Sequence, residues 1–111
     1  MRTGIPIVPL NERVDFECGC NCLTGGILPR PGSVQCGDRG LEFILGEGAR
    51  RMRMPWDDVT SVVVDIFRSE VRGLDVHTND GQVTTVIPAE GPGLVRAMGT
   101  HLPHDLFIPA N

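Results

Sequence analysis

Hydrophobic and polar residues alternate along much of this chain, most clearly in two stretches that meet at one corner. In 51–54, Met52 and Met54 fall on one face and Arg51 and Arg53 on the other, the period of two that a half-buried strand requires. Pro55 lacks a backbone donor and closes that strand. Trp56-Asp57-Asp58 predicts a turn, since aspartate side chains bond the backbone N–H groups just ahead of them. The stretch 61–67 is rich in β-branched residues and predicts a second strand. The only tryptophan stands at this corner, where the indole can close a core while its N–H finds a partner.

The same alternation predicts strands at 13–23, 33–36, 41–45, 73–78 and 82–87, each bounded by Gly, Pro, Asn or Asp. Gly37-Asp38-Arg39-Gly40 and Asn79-Asp80-Gly81 read as hairpin turns. After these seven strands the period changes. Leu94, Ala97, Met98, His101 and Leu102 recur at helical spacing, with Pro92 in the first turn and Pro103 as the stop. The expected architecture is mainly β: seven antiparallel strands in two packed sheets, forming a partly open barrel. One C-terminal helix caps it, burying Leu94, Met98 and Leu102. Residues 1–12 read as a flexible arm and 13–111 as a single domain.

Composition narrows the possibilities. With 111 residues and 41% hydrophobic content the chain can build one core. No apolar run approaches the roughly 18 residues of a membrane span, and the first ten residues lack the sustained apolar segment of a signal peptide. A cytoplasmic protein is expected. The net charge of −4 argues against broad attraction to nucleic acid or to anionic membranes. All ten basic residues are arginine, and the only cluster is Arg50, Arg51 and Arg53. That cluster either forks onto a phosphate or acidic group of a ligand, or pairs with nearby carboxylates on a solvated face.

Cys18, Cys20 and Cys22 are spaced by two, and Cys36 follows. A zinc site would prefer knuckles of wider spacing, in which a turn converges the sulfurs. On a strand the three thiols share one face with Val14 and Phe16, which reads as the core face. A metal or redox role for the four cysteines is the rival reading. Asp57 and Asp58, being adjacent, suit a turn better than a catalytic pair. His77 falls on a polar strand face, and His101 and His104 near the helix C-terminus, where the dipole favours a charged imidazole. Gly25-Gly26 and Gly91-Pro92-Gly93 lack the context of a phosphate loop, so no cofactor is expected.

Taken together, several segments resemble the domain of unknown function 956 family, the ManO-like small bacterial proteins encoded beside mannose-type phosphotransferase genes. They are Val14-Asp15, Gly37-Asp38-Arg39-Gly40-Leu41-Glu42-Phe43, Met54-Pro55-Trp56-Asp57-Asp58-Val59, Val62 and Leu94-Val95-Arg96-Ala97-Met98. The chain departs from that pattern in 18–32 and is shorter in 68–73. The Pro55-Trp56-Asp57-Asp58 corner also resembles the pleckstrin-homology and GRAM-like superfold. The resemblance implies a non-enzymatic regulator or adaptor of a mannose-type sugar phosphotransferase system, acting by protein binding. Two rivals stand beside it: a phosphate or headgroup binder using Arg50, Arg51 and Arg53, and a cysteine-based metal or redox protein.

Overall fold

Trp56 ties the architecture together at the predicted corner. Its Nε1–H donates to the carbonyl of Gly37 at 3.0 Å, and its backbone N–H to that of Arg39 at 3.0 Å. The predicted turn at 56–58 is one turn of 3-10 helix. The computed structural model describes residues 9–24, 29–46 and 50–110, with the side chains of Thr24 and Arg50 excepted.

The strands are β1 (Val14–Thr24), β2 (Arg30–Gly37), β3 (Gly40–Leu45), β4 (Arg50–Pro55), β5 (Val59–Phe67), β6 (Glu70–Thr78) and β7 (Val83–Pro88). The helix α1 (Gly91–Met98) and a three-residue strand β8 (Phe107–Pro109) follow. The order across the sheet is β4-β3-β2-β1-β7-β6-β5-β8. All neighbours are antiparallel except β8, which runs parallel to β5.

The protein is thus mainly β with one helix, as its periodicity predicts, with two corrections. The strands number eight among the described residues, because the apolar tail after Pro103 turns back and pairs with 62–64 of β5. They form one open sheet rather than two. The cause lies in β1, whose 11 residues offer both hydrogen-bonding edges: one pairs with β2 from Val14 to Cys22, the other with β7 from Cys20 to Thr24.

Inward-facing residues from both halves of the strand order share a single core. Val34, Phe43, Val62, Leu74, Val76 and Val86 are buried in it together with Leu94, Met98 and Leu102 of the capping segment. The sheet therefore bends over the helix, which packs on β1, β2, β6 and β7. Gly93 permits this contact: a Cβ there would stand 2.7 Å from the Phe16 ring. Cys18, Cys20 and Cys22 face the core as the alternation predicts, whereas Val14 is exposed. A register shift between Val14 and Phe16 ends the core face there. The helix is also shorter than its apolar stripe suggests. It stops at Met98, and His101 and Leu102 lie in the turns beyond.

The arm expected at 1–12 is fastened where it is described. Asn11 is buried; its Oδ1 accepts from Arg39 N–H at 2.7 Å and Gly40 N–H at 2.9 Å, and its Nδ2 donates to the Gly40 carbonyl. Gly37 lets the segment come this close, since a Cβ would stand 2.3 Å from the Arg13 carbonyl oxygen. Residues 1–8 lie outside the described residues.

Candidate functional site

The arginine cluster is not the open platform that its spacing suggests. Arg51 and Arg53 project from β4 beside β3, where Glu42 is paired with Arg53 in the ladder. Glu42 is 0% exposed although it sits on the outward face of its strand. Its Oε1 accepts from Leu10 N–H at 3.2 Å, and its Oε2 lies 2.9 Å from Arg51 Nη1 and 3.5 Å from Arg53 Nε. The carboxylate thus occupies the fork that an external anion would use. Arg50 opens β4, and its side chain lies outside the described part of the structure. The sequence carries one signal for this arrangement: Glu42 is the only charged residue in Leu41-Glu42-Phe43-Ile44-Leu45.

All four cysteines are buried thiols. Burial pushes the Cys20 thiol up to about 12, with Cys22 and Cys18 adding to the effect. Burial likewise pushes Cys36 up to about 12, helped by the Asp15 charge. Neutral thiols of this kind are poor nucleophiles and poor ligands. Among the described residues no three His, Cys, Asp or Glu groups stand together as a ligand set.

The histidines separate. His77 is half-buried in β6, and His104 stands in a 3-10 turn after Pro103. His101 is brought against β1: its Nε2 lies 2.6 Å from Asp15 Oδ2, and its ring stacks on Trp56 with centroids 5.3 Å apart and planes 14° apart. An ionised carboxylate can only accept, so Nε2 carries the proton in this contact. The hydrogen bonds from His101 and Arg13 hold the Asp15 carboxyl below its usual range. These groups line a shallow cleft of about 580 Å³ together with Phe16, Gly93, Arg96, Ala97 and Thr100. They join the segment after α1 to β1 and to the Trp56 corner, so the cluster is a three-way fastening. The one hydroxyl lining this cleft among the described residues, Thr100 Oγ1, is committed to the Ala97 carbonyl.

The feature with the character of a binding site lies at the β5–β8 end of the strand order. Between β5, β8 and α1 runs an apolar groove of about 320 Å³, lined by Val64, Ile66, Val95, Phe107, Ile108 and Pro109, with His104 and Gly99 at its margin. On β5 the inward positions run Val62, Val64, Ile66; the first two are buried, but Ile66 is 51% exposed. Ile108 on β8 is 45% exposed. The core face of β5 therefore continues past the cover that α1 provides. The sequence holds a trace of this in two apolar pairs, Ile66-Phe67 and Phe107-Ile108. Which of those residues stays uncovered depends on where α1 ends.

No protein-family model matches the chain, and no curated protein matches it. Among solved structures, the C-terminal domain of an unknown protein from Leishmania infantum is similar in fold, with a TM-score of 0.67 and 11% identity. The match covers 79% of this chain and 82% of that one. At this identity the likeness concerns the fold alone. Among the described residues no helix is long and apolar enough to cross a membrane.

Proposed function

We propose that the protein is a non-enzymatic adaptor that binds a partner protein through the groove between β5, β8 and α1. The observation that carries this reading is Ile66, 51% exposed at the end of the core face of β5, in a groove lined almost wholly by apolar residues. Contiguous exposed apolar surface of this sort marks interaction sites rather than ordinary surface. The partner class comes from the sequence resemblance alone: a subunit of a mannose-type sugar permease, or a regulator of its genes. The two rival readings have less support. Arg51 and Arg53 are engaged by Glu42, and Cys20 and Cys36 are held neutral inside the core.

Titration calorimetry of the protein against purified mannose-type permease subunits tests the reading. Binding is expected for the wild type and is expected to be lost in Ile66→Asp, with the thermal melt little changed because half of Ile66 is already exposed. Absence of binding by the wild type would remove the permease as partner. Equal binding by the variant would remove the groove as the docking face.

A further inference from the structure

We infer that the cleft between β1 and α1 binds a small organic monocarboxylate, held by Arg96 with its apolar body against Phe16. The site is separate from the groove at β5 and does not depend on the adaptor reading. β1 carries one extra residue at this cleft: Val14 and Phe16 stand opposite Gly37 and Cys36, which leaves Asp15 without a partner in that ladder. Such bulges re-aim a side chain and recur beside active sites. Here the extra residue meets Arg13 and His101, one carboxylate oxygen to each. That fastening accounts for Asp15, for the imidazole Nε2–H and for the Nε–H of Arg13. It leaves Arg96 over. Arg96 lines the same cleft from α1, is exposed, and has no ion pair among the described residues. The helix end asks little of it, because the carbonyls of Val95, Ala97 and Met98 already accept from Gly99, Thr100 and His101.

The count of charge selects the anion. Arg13 and Asp15 cancel. With the imidazole neutral, Arg96 leaves the cleft one spare positive charge, in a protein whose net charge is −4. A carboxylate matches that single charge and takes both N–H groups of a guanidinium fork. A phosphate monoester brings nearly two negative charges and would set the second beside Asp15. The rest of the lining selects the body of the ligand. Phe16 is half-buried, Gly93 and Ala97 add no polar side-chain atom, and the Thr100 hydroxyl is already committed. An apolar floor with a few polar groups, in about 580 Å³, has the make-up and size of a small-molecule site. A ring or branched chain resting on Phe16 satisfies both halves of the cleft.

The test titrates the full chain with benzoate and reads heat, amide shifts and Trp56 emission, since the Trp56 ring stacks on His101 at the cleft. Saturable binding is expected in about the millimolar range, as a small ligand in an open cleft allows, with shifts at Gly93, Arg96, Thr100 and His101. Benzamide keeps the ring without the charge, and acetate keeps the charge without the ring. Each is expected to bind about tenfold more weakly. Arg96→Gln is expected to lose about tenfold with the thermal melt little changed, and Arg96→Lys to recover only part, because an ammonium lacks the fork. Benzamide binding as tightly as benzoate, or unaltered affinity in Arg96→Gln, would overturn the inference. So would shifts confined to other surfaces, or no saturable response at all. Phenyl phosphate binding more tightly than benzoate would overturn the carboxylate assignment. A peptide whose free C-terminal carboxylate binds at least about tenfold tighter than benzoate would give the cleft to a partner's chain end, and the small-molecule reading would fall.

Discussion

Arg51 Nη1 stands 2.9 Å from Oε2 of Glu42, a carboxylate with no exposure to solvent. The two atoms attract as charges without aligning as donor and acceptor, so the pair is electrostatically held and incompletely hydrogen-bonded. Strand alternation alone puts Arg51 and Arg53 on a solvent face. The cross-strand neighbour and the segment at Leu10 set a covered carboxylate beneath that face, with Arg51 half-buried and Arg53 still exposed.

Reversing both arginines, Arg51→Glu with Arg53→Glu, is therefore expected to strand the buried Glu42 charge among like charges. The loss expected on breaking a buried pair is about 3–5 kcal/mol. Urea unfolding measures it. A midpoint equal to that of the wild type would return both side chains to a merely solvated face.

The cysteines should behave as core residues. Native thiol labelling near neutral pH is expected to be slow at Cys20 and Cys36, and fast only after unfolding. The pH dependence follows from the raised values. Below the ordinary thiol value of 9.0 both states are protonated and the contribution to stability is complete. As pH rises from there toward about 12 the unfolded thiols ionise first, and stability falls. Replacing Cys20 and Cys36 by Ala is expected to make this alkaline limb shallower in urea titrations. An unaltered limb would contradict the burial argument.

Asp15 gives the opposite limb. Its carboxyl sits below the ordinary value of 3.8 because His101 and Arg13 bond the ionised form. Its contribution is complete above that ordinary value and is lost as pH falls through the lower folded value. Asp15→Asn is expected to make acid unfolding less steep and to loosen the stack of His101 on Trp56. Because Trp56 is the sole tryptophan, its fluorescence follows the change directly. An acid limb and emission identical to wild type would remove the fastening role.

Met98 is fully buried beneath the bent sheet, with Leu94 and Leu102 beside it in the core. Met98→Ala is expected to cost about 2–5 kcal/mol through lost transfer energy and the cavity left behind. Equilibrium denaturation reads this. A loss well under that range would mean that the helix settles into the space, as a poorly anchored cap would.

Local chemistry alone determined much of this protein. Period-two runs produced seven of the strands to within a few residues, and Gly37–Gly40 and Asn79-Asp80-Gly81 produced their hairpins, because alternation and turn residues act over a few neighbours. Trp56 at a Pro-bounded corner identified a joint, and the spacing of Cys18, Cys20 and Cys22 identified a buried face. Tertiary structure decided the rest. Whether two sheets form or one depends on β1 using both its edges, which involves partners far along the chain. The tail at Phe107 becomes a strand only because β5 offers it an edge; three residues could not form one alone. Glu42 is buried and Ile66 is not, against their types, because the segment at Leu10 covers one and α1 stops short of the other. Burial depends on what the remainder of the chain places overhead, and neighbouring residues in the sequence carry no record of that.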